Sequence, residues 1–431
     1  MRETLGLKIY RAMTSAARPV ASLALNRRMK SGKEDFERVS ERKGEPSLPR
    51  PDGRLVWIHG ASVGESLSIL PLVDELTKRQ PDLSFLVTTG TVTSAQLMAQ
   101  RLPSHAVHQY APVDHPDFVD GFLSHWHPDA AFFVESEFWP NLITKARARI
   151  PFMALVNGRI SPRSFSDWQR QPNSIRYLLS CFDVMIAQDQ QNAERLSDLS
   201  RRDVKMLGNL KYAAAPLPVD ETQLQSLRTS LGSRPVWLAA STHIREEETV
   251  LGAHKILKQN FPDLLTIIAP RHPKRGKEIL ELAKTSTVET VLRSQNAAIT
   301  NDTEIYIADT LGELGLFYRL ANIAFVGGSM VEKGGHNPLE PAQLENAILH
   351  GPHIFNFEDT YRDLRRSGGA ALVRNERELA SAVQRILKDQ KTRSIVAQAA
   401  RQEAQRNATS VLQNICGEIA PHIPARSLAN S

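Results

Sequence analysis

Leu55-Val56-Trp57-Ile58-His59-Gly60-Ala61-Ser62-Val63-Gly64-Glu65 is a short apolar run that meets a glycine-flanked turn of small residues and then opens a helix. An apolar run without two-residue alternation is what a strand buried on both faces requires. A strand that feeds such a turn and a helix is one unit of a doubly wound parallel sheet, and its turn is a backbone site for an anion or substrate. It is not a dinucleotide fingerprint, because G-x-G-x-x-G is absent. Glu65 falls at the helix start. There a carboxylate can take a proton from an attacking hydroxyl, or simply pair with the helix dipole.

Outward from this unit the pattern repeats. Strands are predicted at 55–59, 85–89, 130–134, 152–156, 184–187 and 204–207, with amphipathic helices near 66–79, 93–102, 139–148 and 189–198. Pro71 is expected to kink or shorten the first helix. The Pro-rich stretch Ala213–Asp220 reads as a hinge, after which alternation restarts. Strands are predicted at 236–240, 264–269, 304–307, 323–326 and 370–373, and helices at 246–259, 274–284, 312–320, 338–346, 376–388 and 391–416. The expected fold is α/β: two Rossmann-like doubly wound domains facing across a cleft, spanning 54–212 and 234–431 with a hinge at 213–233. The second domain is expected to include the C-terminal helix.

The 431 residues, 41% apolar and 23% charged, suit two globular domains. Cys181 and Cys416 lie too far apart in sequence to suggest a disulfide framework or a cysteine metal site. The formal charge of +6 fits an acidic partner such as phosphate, nucleotide or anionic lipid without singling out nucleic acid, and no nucleic-acid partner is expected.

Residues 1–30 carry Arg2, Lys8, Arg11, Arg18, Arg27, Arg28 and Lys30 among spaced apolar residues. No run approaches the roughly 20 apolar residues of a spanning helix. The segment reads as a basic amphipathic, membrane-associating element, with a soluble helix as the alternative. Residues 31–53, polar and rich in Lys, Glu, Arg, Pro and Gly, read as a linker.

Further motifs sit at predicted strand ends. Glu135-Ser136-Glu137-Phe138-Trp139-Pro140-Asn141 follows the 130–134 strand and can place one carboxylate in a cleft, or hold two helix-start charges. Gly208-Asn209-Leu210-Lys211 brings a lysine to the hinge, where it can stabilise developing negative charge or remain solvated. Ala269-Pro270-Arg271-His272-Pro273 suits phosphate, or is a surface turn. In Asp309-Thr310-Leu311-Gly312-Glu313, Thr310 is expected to cap a helix. Phe325-Val326-Gly327-Gly328-Ser329, with Gly334-Gly335-His336-Asn337-Pro338-Leu339-Glu340-Pro341, is the most specific signal. Its glycine pairs permit close backbone approach to a ligand, and Glu340 can accept from ribose hydroxyls while a helix N-terminus meets phosphate.

The ordered set GASVGE, ESEFWPNL, GNLK, PRHP, DTLGELGLFY and GGHNPLEPA resembles the 3-deoxy-D-manno-octulosonic acid (Kdo) transferases of lipid A biosynthesis, from the N-terminus to about residue 390. Those are inverting glycosyltransferases of the GT-B class. The resemblance implies that Glu65 is the general base and that Glu135 and Lys211 stabilise the transition state. It implies that Arg271, His272, Leu311, Gly312, Glu313, Asn337, Pro338, Leu339 and Glu340 form the cytidine monophosphate (CMP) site. The implied donor is CMP-Kdo. The implied acceptor is the lipid A precursor lipid IVA, reached at the anionic cytoplasmic face of the inner membrane by a peripheral or monotopic enzyme. Two departures stand out: the pattern leads us to expect a glycine near Arg245, and Thr88-Thr89-Gly90-Thr91 replaces a more Thr-rich run.

No Asp-x-Asp occurs, so no metal cofactor is expected. His105, His108, His115, His125 and His127 lack the ligand spacing of a zinc site. The competing readings are a hexosyltransferase or nucleotide-sugar epimerase with another donor, a non-catalytic lipid-binding protein, and a nicotinamide dehydrogenase, the last disfavoured by the missing fingerprint.

Overall fold

The computed structural model describes residues 3–285 and 288–425, so Arg2 lies outside the described residues. The chain divides into two compact units, Met1–Ala215 with Asn407–Ser431, and Pro216–Arg406. Among the described residues each holds one seven-stranded sheet.

The first sheet comprises β1 (Arg54–His59), β2 (Leu83–Thr89), β3 (Ala106–Tyr110), β4 (Ala130–Val134), β5 (Phe152–Gly158), β6 (Val184–Ala187) and β7 (Lys205–Met206). Its order is β3-β2-β1-β4-β5-β6-β7, and every pairing is parallel. Leu55 and Trp57 enter the core on one face of β1, Val56 and Ile58 on the other. Both faces are therefore dry, which is why the sequence shows a continuous apolar run. The strand order reverses between β1 and β4, the topological switch point where such sheets bind ligands.

The second sheet comprises β8 (Val236–Thr242), β9 (Leu265–Pro270), β10 (Thr290–Leu292), β11 (Ile305–Ile307), β12 (Ile323–Val326), β13 (Ala347–His350) and β14 (Ala370–Leu372). Its order is β10-β11-β9-β8-β12-β13-β14, again parallel, with the switch point between β8 and β12.

Several expectations are corrected. The C-terminal stretch does not belong wholly to the second domain. In the helix Gln390–Ile419, Val411, Ile415, Cys416 and Ile419 join the Val56/Ile58 core. Lys205 pairs with Glu418 at 2.6 Å, and Gln80 donates to the Ala420 carbonyl, holding the same end to the first unit. Residues 31–53 are not a loose linker. Glu34 and Glu41 are buried there; Arg38 grips Glu41 through two 2.9 Å bonds, and Glu41 also accepts the Tyr110 N–H of β3 at 2.7 Å. The expected hinge contains the helix Glu221–Leu231, whose Leu224 and Leu231 are buried in the second unit. The helix Val63–Arg79 runs through Pro71 without shortening. Pro71 lacks an N–H, so only the Leu67 carbonyl loses its intrahelical donor.

The histidines between 105 and 127 do structural work. His105 bonds Thr77, His108 bonds Thr89, His115 caps the helix Pro116–Trp126, His125 bonds the Leu48 carbonyl, and His127 closes that helix in a left-handed conformation.

Candidate active site

At the β1/β4 switch point of the first unit, the turn after β1 is compressed. A Cβ on Gly60 would lie 2.8 Å from Ile69 Cδ1 and 3.1 Å from Glu65 Cβ, so a larger residue would displace the end of the Ile69 side chain and crowd Glu65. Ser62 is the N-cap and Glu65 the third helical residue, a capping box. Ser62 Oγ accepts from the Glu65 N–H at 3.3 Å. Glu65 Oε1 accepts from the Ser62 hydroxyl at 2.6 Å, and Oε2 from the Ala61 N–H at 2.7 Å. The box orients the carboxylate without exhausting its lone pairs. Burial pushes the Glu65 carboxyl above the ordinary glutamate range; the Ser62 and Ala61 bonds oppose this, and nearby Glu135 and Glu137 reinforce it. Helix cap and proton acceptor are thus compatible roles of one side chain.

Glu135 follows β4 directly. It is buried, with φ +64°, an uncommon backbone region for a non-glycine residue. Its N–H donates to the Val156 carbonyl at 3.1 Å, and Lys211 Nζ lies 2.5 Å from its Oε1. Arg159 stands 4.0 Å from the other oxygen. Lys211 is placed by its own motif: Asn209 Oδ1 caps the Lys211 N–H at 3.0 Å, and Asn157 Oδ1 accepts from the Leu210 N–H at 2.8 Å. Lys211 Cε also lies 3.9 Å from where a Gly64 Cβ would be. The structure therefore gathers Glu65, Glu135 and Lys211, which are far apart in sequence. A cavity of about 370 Å³ at this strand-end edge is lined by Arg42, His59, Ala61, Thr91, Glu137 and Trp139 among others.

In the second unit a cavity of about 410 Å³ is lined by Arg271, Thr310, Leu311, Gly312, Asn337 and Glu340, together with His336 and Ser241. Asn337 arranges the loop: its Oδ1 accepts from the Leu339 N–H at 3.0 Å and its Nδ2 donates to Glu340 Oε1 at 3.3 Å. Burial raises the Glu340 carboxyl above its ordinary range, against the Asn337 bond and the Arg271 charge.

Other expected binders stand apart from this cavity. His272, Glu313, Pro338 and Leu339 lie outside its lining. Glu313 is bound to Arg293 at 2.6 Å and takes the Thr310 hydroxyl, so Thr310 does not cap the helix Leu314–Leu320. Leu339 is in the core. The helix Leu339–Gln343 is five residues long, too short to bring more than a weak dipole to a phosphate.

Sequence reasoning gave no role to His243, which precedes the Arg245 departure, or to His336, and it missed Glu246. Glu246 opens the run Glu246-Glu247-Glu248, which reads as a solvated helix start. In the fold it is fully buried and accepts four backbone N–H groups.

The family model described as 3-deoxy-D-manno-octulosonic-acid transferase (kdotransferase) matches residues 35–214. A 3-deoxy-D-manno-octulosonic acid transferase from Rickettsia bellii is 35% identical over 90% of this chain and 93% of its own length. One from Haemophilus influenzae is 33% identical over 90% and 92%. Among solved structures, a glycosyltransferase from Rickettsia africae superposes with a TM-score of 0.58 at 14% identity, covering 88% of this chain and 100% of its own, a likeness of fold alone.

Proposed function

The chain belongs to the family of 3-deoxy-D-manno-octulosonic acid transferases, and from that premise we propose that it moves Kdo, with inversion, from CMP-Kdo to the lipid A precursor lipid IVA. The observation that carries the mechanism is the gathering of Glu65, Glu135 and Lys211 at one switch point. A primary hydroxyl of the acceptor sugar attacks the ketosidic carbon. The bond from that carbon to the phosphate oxygen breaks, its electron pair leaves with CMP, and Glu65 takes the hydroxyl proton. Lys211, held by Glu135, meets developing negative charge, and Arg271 meets the phosphate. No divalent ion is needed in this scheme. The test is to incubate the protein with lipid IVA and CMP-Kdo in chelator and weigh the lipid. A mass increase of one or more Kdo units supports the reading. No product, or product only with a different nucleotide donor or only after adding magnesium, overturns it.

Glu340 is assigned to the ribose hydroxyls. Truncating a charged acceptor costs about 1.5–3 kcal/mol, so Glu340→Ala should weaken CMP binding by roughly that amount and leave acceptor affinity alone. Unchanged CMP affinity by calorimetry would return Glu340 to a loop-holding role with Asn337.

The N-terminal helices are assigned to the cytoplasmic face of the inner membrane. Among the described residues no helix is long and apolar enough to cross a membrane. The helix Leu5–Ala16 instead shows Leu5, Ile9 and Met13 on one face, and the following helix, Arg18–Lys30, shows Val20 and Leu23; all five are more than half exposed. Arg11, Arg18 and Arg28 are engaged by Glu3, Asp117 and Glu34, so Lys8, Arg27 and Lys30 supply more of the attraction to anionic headgroups. Deleting the segment would also remove Leu7 and Leu25 from the protein interior and the 2.9 Å Tyr10–Asp114 bond. Replacing Leu5, Ile9, Met13, Val20 and Leu23 with serine is the cleaner experiment. Each loses on the order of 1 kcal/mol of interfacial burial, so sedimentation with anionic vesicles should fall well over about tenfold. Turnover on detergent-dispersed acceptor should change little. Undiminished vesicle binding would place the docking surface elsewhere.

A further inference from the structure

His243 follows β8 and His336 lies in the loop after β12, so the two imidazoles meet at the switch point of the second sheet. Their rings are near-parallel, 8° apart with centroids at 5.1 Å, and their Nε2 atoms are 2.9 Å apart. In that contact one Nε2 carries the hydrogen and the other the lone pair. With the geometry kept, the pair can be neutral or hold one extra proton, never two.

The arrangement is built. Glu246 accepts the His243 N–H at 2.9 Å and the N–H groups of Gly328, Ser329 and Met330 at 2.7, 3.0 and 2.9 Å, pinning the two imidazole-bearing segments to one carboxylate. The His336 N–H donates to Gly327, and its carbonyl accepts from the Tyr361 hydroxyl at 2.8 Å. Gly328 has φ +67°, and a Cβ there would lie 3.0 Å from the His336 ring.

The charged and titratable groups facing the pair are Arg271, His272, Arg275 and Lys333, with Glu246 occupied by backbone and Arg275 held by Glu247 and Glu278. Burial is the main cause pushing both imidazoles down; His272, Lys333, Arg271 and Arg275 add to it at His243, and His243, Arg271 and His272 at His336, which falls to about 4. The empty pair is therefore neutral near pH 7. His336 and Arg271 both line the 410 Å³ cavity.

We propose that His243 and His336 form a one-proton receptor for the nucleotide's phosphate, neutral in the empty site and taking up a single proton when a phosphate dianion occupies it. The inference rests on the nucleotide reading of this cavity. The sugar nucleotide's phosphate is a diester with one negative charge. When the glycosyl carbon–oxygen bond breaks, the bonding pair stays on the phosphate oxygen and the leaving monoester carries two. A pair that gains one proton from water answers that one added charge, because a nearby anion favours the charged imidazole.

The experiment is calorimetry of the full chain with CMP near pH 7 in two buffers of different ionisation heat, so that the buffer-dependent heat counts protons. A phosphate monoester has a second pKa of about 6, so CMP is already mostly a dianion there. The wild type should take up a large fraction of one proton. His243→Gln and His336→Gln should each bind CMP roughly tenfold or more weaker, with the uptake lost, because either substitution removes the shared site. In the wild type, Kd should also rise by up to about tenfold per pH unit above neutrality, a measurement that needs no variant to fold. Binding without buffer-dependent heat, a pH-independent Kd, or uptake that survives in both variants overturns the proposal. Failure of the wild type to bind CMP at all sinks the nucleotide reading instead.

Discussion

Glu65→Gln should lower transfer by about 10²–10⁴, the usual effect of losing a positioned base, while CMP affinity and the melting temperature stay close to wild type. Glutamine is the informative substitution because Glu65 has two jobs. Its carboxylate closes the capping box through Ser62 and Ala61, and an amide oxygen can still accept one of those bonds. Alanine removes both carboxylate bonds, leaving Ser62 to cap the residue-65 N–H, and should cost about 0.5–1.5 kcal/mol of stability for each bond lost. A cap without chemistry would show the reverse order, with glutamine nearly silent and alanine losing activity only as it loses stability. The pH profile separates the two further. A base must be ionised, and burial raises the Glu65 carboxyl. Activity should therefore fall as pH drops through a value above the ordinary glutamate range, and that acid limb should be missing from the residual rate of Glu65→Gln. Turnover above about a tenth of wild type in the glutamine variant would remove Glu65 as the base.

The parts of the fold legible in the sequence are those whose burial is purely apolar. β1 and β4 stand out because Leu55–Ile58 and Ala130–Val134 meet a dry core on both faces. β3 escaped notice because His108 and Gln109 interrupt its pattern. Both are buried, and both are bonded from other elements, His108 by Thr89 and the Gln109 carbonyl oxygen by Trp126 Nε1 at 2.7 Å. Polar residues with distant partners look like loop until the partners are known. Glu34, Glu41 and Glu246 hid for the same reason, each a buried carboxylate with a partner on another element: Arg28 for Glu34, the Tyr110 N–H for Glu41 and the Gly328 N–H for Glu246. The helix Gln390–Ile419 was legible as a helix, but its sequence carries no mark of the sheet against which Val411 and Ile415 pack. One local anomaly was visible: the family pattern leads to a glycine near Arg245, and Arg245 does hold a left-handed φ of +79°. In the candidate site, motif position located Arg271, Asn337 and Glu340 at the cavity. It could not foresee that Glu313 turns to Arg293, because adjacency in a motif does not fix the direction of a side chain.

Lys211→Met should reduce turnover by about 10²–10³, the effect of removing one group that stabilises developing charge. It should also reduce stability, and the two losses have separable causes. Glu135 is buried with its Oε1 2.5 Å from Lys211 Nζ. Taking the lysine away leaves a carboxylate whose remaining cation among the described residues is Arg159, at 4.0 Å. Stranding a buried charge typically costs about 3–5 kcal/mol. The lower end, or less, is expected here because Lys211 itself is partly exposed, at 29% of its side chain. Adding Glu135→Gln to Lys211→Met removes the stranded charge and should recover most of that stability. Turnover should not recover with it, since the positive charge is still missing. Glu135→Gln alone should fold nearly as well as wild type, because glutamine can hold the same backbone, and should lose activity as Lys211 loses its anchor. Melting temperature and turnover measured on all three variants decide the matter. If turnover in the double variant climbs back to within about tenfold of wild type together with its stability, Lys211 serves only as a counter-ion to Glu135.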